Sequence, residues 1–255
     1  MRLIKWDDLP SEFKTDEVRK YYDILSKKSV SLFFKRLFDI VASFLMLIIL
    51  SPVFFILAVA IKLDSKGPVF YRQERVTQYG KRFRIHKFRT MVQNADKGSQ
   101  VTVNNDRRIT RVGRIIRDFR LDEIAQLLDV INGDVTLVGV RPESPRYVAK
   151  YTDEMMATLL LPAGVTNLAC IYYKDEAKLL DGVEDTDKIY IEEILPGKMY
   201  YNLKGIEHFS FWGDIKLMFM TVFAVLGKEY KDELKKEIII SDKEQTDVER
   251  SASYR

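Results

Sequence analysis

Residues Ile40 to Ile61 read IVASFLMLIILSPVFFILAVAI, an apolar run without a single charge. As a straight helix it is roughly 33 Å long, enough to cross the hydrocarbon of a bilayer. Such a run must be buried in a core or given to a membrane, and its length and lack of charge favour the membrane. Two features argue against plain crossing. Ser51-Pro52 sits mid-run, where proline removes a backbone hydrogen bond and bends a helix. Basic residues flank both ends: Lys27, Lys28, Lys35 and Arg36 before, Lys62, Lys66, Arg72 and Arg75 after. Such flanks belong on the cytoplasmic side. A helix that bends at Ser51-Pro52 and returns to the face it entered satisfies both. From the residues alone, spanning and re-entrant paths stay equally open. The run begins too late for a secretory signal peptide, and no small-residue cleavage pattern follows it.

The rest of the composition narrows the partners. The chain has 255 residues, 47% of them hydrophobic, so it can bury a core as one domain or two. A net charge of +4 is too mild to imply nucleic acid. The positive charge gathers beside the apolar run, which points to acidic head groups. Cys170 is the only cysteine, so no intrachain disulfide is expected, as in a reducing compartment. His86 and His208 lack the partners a zinc site needs.

Beyond the apolar run, Gly67-Pro68 is a turn, and Val69–Arg72 and Arg82–Phe88 alternate as two strands with Gly80 between them. Seven Lys or Arg residues from Arg72 to Arg89 interleave with aromatics. This is either an ordinary basic hairpin or one lying on head groups, with Lys87 or Arg89 reaching a phosphate. Residues 91–105 read as a mobile loop. Tyr147–Leu161 reads as a helix stopped by Pro162, and 175–193 as an acidic, solvated segment. Phe209–Leu226 reads as an apolar helix lying at the membrane interface, with Trp212 at head-group level.

The stretch from Arg107 to Glu143 carries the chemistry. Arg107, Arg111, Arg114 and Arg117 are spaced to share one helical face. Asp122 and Glu123 follow, then Ile124, Leu127, Leu128 and Ile131 at helical spacing, predicting an amphipathic helix with two acids in its first turn. Asn132-Gly133 suits a left-handed C-cap, and Val135–Val140 reads as a strand. Two interpretations remain open. The acids complement a helix dipole and the arginines are solvated, or arginines and helix start bind phosphates while the acids hold a metal or attack phosphorus.

These residues resemble the bacterial sugar transferases, the monotopic polyprenyl-phosphate phosphoglycosyl transferases. The resemblance rests on Lys35-Arg36-x-x-Asp39, Ser51-Pro52, Gly67-Pro68-Val69-Phe70, Gln73-x-Arg75, Gly80-Lys81-x-Phe83 and Lys87-Phe88-Arg89-Thr90-Met91. It continues through Arg111-x-Gly113, Arg117, Leu121-Asp122-Glu123-Ile124-x-Gln126-Leu127, Gly133-Asp134 and Val138-Gly139-x-Arg141-Pro142. It implies an α+β fold: a small membrane-associated catalytic domain with an N-terminal re-entrant helix kinked at Ser51-Pro52 and interfacial amphipathic helices. The expected segments are a polar extension (1–34), the membrane helix (35–66), a catalytic domain on the cytosolic face (67–230) and a charged tail (231–255).

The implied reaction moves a sugar-1-phosphate from a UDP-sugar to polyprenyl (undecaprenyl) phosphate, releasing UMP and initiating surface glycan assembly such as exopolysaccharide or capsule. Its setting is the cytoplasmic face of the bacterial cell membrane, and a homodimer is compatible with it. The resemblance makes Asp122 the nucleophile of a covalent phosphosugar intermediate and sets Glu123 beside Mg²⁺ and the acceptor phosphate, both acids serving as metal ligands. Lys87, Arg89, Arg117 and Arg141 are the phosphate-binding candidates. The chain departs from the pattern at Ile124-Ala125, Val140, Cys170–Tyr173 and Asn202, where sugar and nucleotide contacts are expected. A non-catalytic scaffold of the same fold is the alternative, against which the intact Asp122-Glu123 pair argues.

Overall fold

A computed structural model describes residues 1, 3–93, 95, 106–173, 185–227 and 230. Most of the expected 91–105 loop, residues 175–184 of the acidic segment and the 231–255 tail lie outside these residues.

The apolar run is the centre of helix α2, Ser29–Asp64, of 36 residues and about 54 Å. Among the described residues it is the one helix long and apolar enough to cross a membrane. Its helical run continues through Pro52. Pro52 has no N–H to offer the Ile48 carbonyl four residues back, and Ser51 Oγ donates to that carbonyl at 2.8 Å instead. The serine thereby offsets part of the cost of an interior proline.

One face of α2 packs on the rest of the protein on both sides of Pro52. Before it, Phe38, Ala42, Met46 and Leu50 meet Phe83, Ile85, Leu127, Val130 and Val135. After it, Val53, Phe54, Leu57 and Ile61 meet Phe88, Ile116 and Ala125. The opposite face leaves Leu37, Phe44, Ile48, Ile49, Phe55 and Ile56 exposed. Polar anchors fix the packed face. Buried Asp39 accepts from Thr136 Oγ1 and from the Leu137 N–H at 3.4 Å. Buried Lys35 pairs with Asp214 at 2.7 Å. Arg36 donates to the carbonyls of Val130 and Ile131 at 2.7 and 3.2 Å, placing a cation at the carbonyl end of the helix they close.

The polar N-terminal segment joins the core. Thr15 caps helix α1, Asp16–Ser26. Leu9, Phe13, Val18, Tyr21 and Leu25 are buried with Leu160, Leu203, Ile206 and Phe209 from far along the chain.

Strands β1 (Phe70–Val76) and β2 (Arg82–Phe88) form an antiparallel hairpin with Phe70 opposite Phe88 and Val76 opposite Arg82. β1 runs four residues beyond the expected Arg72, because Arg72, Glu74 and their partners on β2 occupy an open face where charge is tolerated. Helix α3 spans Arg111–Asp118 and α4 spans Leu127–Asn132, ended by Gly133 in the left-handed region (φ 92°) as expected. β3 (Val135–Val138) pairs in parallel with β4 (Ala163–Thr166), and every residue of β3 is buried. A Cβ on Gly164 would lie 2.1 Å from the Gly139 nitrogen, so this approach needs glycine. The helix expected over Tyr147–Leu161 is three short pieces, Pro145–Val148, Asp153–Met156 and Ala157–Leu160. Extended Thr152 breaks the run and restarts it by accepting from Met155 N–H. The C-terminal part holds α5 (Leu168–Tyr172), a π-helical turn (Tyr190–Ile194), α6 (Leu195–Glu207) and α7 (Phe211–Val225). α7 has no buried residue, and Trp212 and Phe219 are exposed.

Candidate active site

Three supports converge on the Asp122-Glu123 pair. The first is β2, which carries Lys87. The second begins where Thr110 caps α3 by accepting from the Gly113 N–H at 2.9 Å. A Cβ on Gly113 would sit 2.0 Å from the Thr90 carbonyl oxygen, so only glycine lets α3 start against the exit of β2. At the end of α3, Arg120 takes the left-handed conformation (φ 55°) and reverses the chain into a 3₁₀ stretch, Leu121–Gln126. The third support is the β3–β4 pairing, extended past β3 by Gly139 N–H to the Thr166 carbonyl at 2.9 Å and Gly164 N–H to the Val140 carbonyl at 2.7 Å. It holds the segment that ends in Arg141-Pro142.

The acids therefore lie on a 3₁₀ turn leading into α4, and not in the first turn of one long α-helix. With about three residues per turn, neighbours on such a turn point roughly 120° apart. The two carboxylates have different surroundings. Glu123 faces Arg141, which donates through Nη1 to Oε2 at 3.1 Å and through Nη2 to Oε1. Lys87 Nζ stands 3.5 Å from the same Oε1. Asp122 makes no hydrogen bond or ion pair among the described residues.

The electrostatics follow from this division. Burial raises the Glu123 carboxyl, but Arg141 and Lys87 outweigh it and hold the group well below the usual carboxylate range. Burial, then the Glu123 charge, pushes Asp122 up, against the pull of Lys87, Arg117 and Arg141. Burial pushes the Lys87 ammonium down, partly countered by Glu123. Arg141 is raised well above its ordinary value, chiefly by Glu123.

The predicted residues are thus sorted. Asp122, Glu123, Lys87, Arg117 and Arg141 come together. Of the arginine comb, Arg111 and Arg114 are exposed and Arg107 precedes the helix, while Arg117 is half-buried with an Nη1 that meets no hydrogen-bond partner among the described residues. Arg89 does not join them. It is buried and donates to the carbonyls of Lys66 (2.8 Å) and Ser65 (2.7 Å) and to Ser65 Oγ (3.0 Å), fixing the turn that follows α2. Gly67 (φ 126°) makes room, since its Cβ would lie 1.9 Å from Arg89 Nη1. Ser51 and Pro52 stay in the middle of α2.

One group beside the site, Arg75 with Glu143, was given no role in the site from the sequence. Arg75 Nη1 lies 3.9 Å from Glu143, whose other oxygen accepts from the Tyr190 hydroxyl at 2.6 Å and lies 3.6 Å from Lys198. Residue alternation from Lys87 across the hairpin places Arg75 on Lys87's face; a first strand expected to stop at Arg72 hid this.

No cluster of three or more His, Cys, Asp or Glu residues suited to a metal exists among the described residues. Magnesium, however, is commonly held through one or two carboxylates, water and substrate phosphate. The open Asp122 carboxylate, with Glu123 next in sequence, fits that mode.

Comparison with known proteins gives one answer. The chain is 36% identical over 198 residues to a UDP-N-acetylgalactosamine-undecaprenyl-phosphate N-acetylgalactosaminephosphotransferase of Aeromonas hydrophila, covering 76% of this chain and 44% of that one. It is 36% identical to a UDP-glucose:undecaprenyl-phosphate glucose-1-phosphate transferase of Klebsiella pneumoniae, covering 76% and 40%. A protein of that same description from Caulobacter vibrioides is 35% identical, covering 75% and 69%. The chain spans less than half the length of the first two. The bacterial sugar transferase model matches residues 30–228, from the start of α2 past the end of α7, and the chain belongs to that family.

Proposed function

We propose that this chain is a phosphoglycosyl transferase that moves a sugar-1-phosphate from a UDP-sugar to polyprenyl phosphate, giving polyprenyl-diphosphate-sugar and UMP. The observation that carries it is the pairing of an open Asp122 carboxylate with a neighbour, Glu123, that aims Arg141 and Lys87 into the same site. The names of the relatives support the substrate classes.

An anionic nucleophile meets an anionic diphosphate, so charge must be neutralised before they approach. Arg141, Lys87 and Arg117 supply fixed cations, and Glu123 holds the first two in place. Asp122 attacks the sugar-bearing phosphorus, UMP departs, and the aspartyl-phosphosugar then passes to the lipid phosphate. Covalent relay lets the soluble nucleotide leave before the lipid phosphate enters the same basic pocket. A magnesium ion held by Asp122 and Glu123, with diphosphate oxygens and water, would add charge neutralisation there.

In this reading α2 is re-entrant and the catalytic part lies on the cytoplasmic face, at the start of surface glycan assembly. The support is that one face of α2 packs on one globular body both before and after Pro52, while its other face is apolar and exposed. A bilayer crossing would carry one of those halves away from the body it packs on. α7, exposed and apolar, would lie at the interface.

The test is UMP release from a panel of UDP-sugars with polyprenyl phosphate and Mg²⁺, comparing wild type with Asp122→Asn. Release with one sugar, abolished in the variant, supports the reading; equal release from both removes Asp122 as nucleophile. For topology, labels at Lys5 and Lys81 are expected on the same side of the membrane. Opposite sides would end the re-entrant model.

A further inference from the structure

A fourth cation stands beside the dyad, and the mechanism so far gives it no task. Tyr71 lies opposite Lys87, and Tyr71, Gln73 and Arg75 alternate onto one face of β1, so Arg75 and Lys87 share that face. At about 3.3 Å per residue, the Arg75 backbone lies roughly 13 Å along the strand from Tyr71. Its side chain leans back over that span. Nη2 donates to Gln73 Oε1 at 2.6 Å, one step towards Lys87, and Nη1 donates to the carbonyl of Pro142, the residue after Arg141, at 3.4 Å. The guanidinium is therefore tied to the strand face that carries Lys87 and to the residue that follows Arg141.

Its charge is poorly compensated there. Both hydrogen bonds go to neutral acceptors, and the nearest carboxylate oxygen among the described residues, Glu143 Oε2, is 3.9 Å away. Glu143 already accepts from Tyr190 and faces Lys198. The arrangement repeats that of Glu123, a carboxylate flanked by Arg141 and Lys87. Two carboxylates, each flanked by two cations and linked through the Arg75 contact to Pro142, suit a ligand with two linked phosphates.

We infer that Arg75, positioned by Gln73 and Glu143, binds the nucleotide-side phosphate of the donor diphosphate, next to the phosphorus that Asp122 attacks. This rests on the transferase reading. An Asp122 oxygen forms the new bond to the sugar-bearing phosphorus, and the bond from that phosphorus to the bridging oxygen breaks. The electron pair stays on the bridging oxygen, which leaves as the additional charged oxygen of UMP. Charge grows at that oxygen in the transition state, so Arg75 acts more strongly on the transition state and on UMP than on the intact donor.

The test is equilibrium dialysis of radiolabelled UMP, uridine and inorganic pyrophosphate against the full chain in detergent, for wild type, Arg75→Lys and Arg75→Gln. The expected result is UMP binding about 10- to 100-fold weaker in Arg75→Gln, less weakened in Arg75→Lys, with uridine binding unchanged in all three. Unchanged uridine binding also establishes that each variant is folded. Single-turnover UMP release is expected to slow. UMP binding within about twofold of wild type in folded Arg75→Gln overturns the inference. If Arg75→Gln does not fold, the same twofold criterion applied to Arg75→Lys decides. A wild type that binds pyrophosphate but neither UMP nor uridine defeats the nucleotide-sugar reading instead, and the Arg75 anion site then stands or falls on loss of pyrophosphate binding in Arg75→Gln.

Discussion

Replacing Glu123 by Gln separates what this carboxylate does for the fold from what it does for the chemistry. Gln keeps the shape and one carbonyl oxygen but loses the charge that Arg141 grips through two nitrogens and that Lys87 faces at 3.5 Å. Breaking a fully buried ion pair costs about 3–5 kcal/mol. Here the two side chains are 16% and 28% exposed, and water screens part of the leftover charge. A loss of roughly 2 kcal/mol is the reasonable expectation, or about 4–8 °C in Tm for a chain of this size. Activity is expected to fall much further. If Glu123 aims Arg141 and Lys87 at the phosphate, its loss removes preorganised charge worth about 10²- to 10³-fold in rate. The assay is UMP release at 25 °C, on protein whose melting curve shows it folded at that temperature. A Tm lowered as expected with UMP release within about threefold of wild type would refute the reasoning, because Glu123 would then be a stabilising residue only.

Acid stability should report the same group. The Glu123 carboxyl is held low in the fold, so its contribution is complete above the ordinary value of about 4.3 and is lost as pH falls through the folded value. Melting curves from about pH 3 to 7 are expected to drop on the acid side in wild type and to be flatter there in Glu123→Gln. Arg89→Ala should act on the fold: it leaves the Ser65 and Lys66 carbonyls without their guanidinium donor and is expected to lower stability by about 2–3 kcal/mol, with the KM for UDP-sugar unchanged within about twofold in whatever protein folds. A large, isolated rise in KM would put Arg89 back among the phosphate ligands. Gly164→Ala should abolish soluble, folded protein, since its Cβ meets three Gly139 backbone atoms at 2.1–2.4 Å; well-folded Gly164→Ala in a melting assay would contradict the β3–β4 geometry.

Local patterns made much of this legible. The β2 limits, the Gly133 cap and the buried β3 follow from alternation, a left-handed glycine and a β-branched run, all of which act over a few residues. Asp122, Glu123, Lys87, Arg117 and Arg141 were recognisable because their spacing and order in the chain match a family, although nothing local says that Glu123 and Arg141 touch. Arg89 misled for a physical reason. A basic residue two places after Lys87 looks like a second phosphate ligand, and only the return of α2 to Ser65 and Lys66 shows its guanidinium occupied. The N-terminal segment reads as a polar extension because its apolar residues are sparse. Phe13, Tyr21 and Leu25 find their partners some 140 to 190 residues later, at Leu160, Leu203 and Ile206. Arg75 and Glu143 needed the hairpin register and the π-helical turn before their proximity could be seen.

The central claim is that Asp122 becomes covalently linked to a phosphosugar. The most direct measurement is the intact mass of the chain after brief incubation with its UDP-sugar and Mg²⁺, without lipid phosphate, and an acid quench. A gain equal to one sugar phosphate, discharged on adding polyprenyl phosphate and absent in Asp122→Asn, is the expected result. UMP release that depends on the lipid acceptor, with the mass unchanged at every time point, would contradict it and would mean direct transfer between the two substrates.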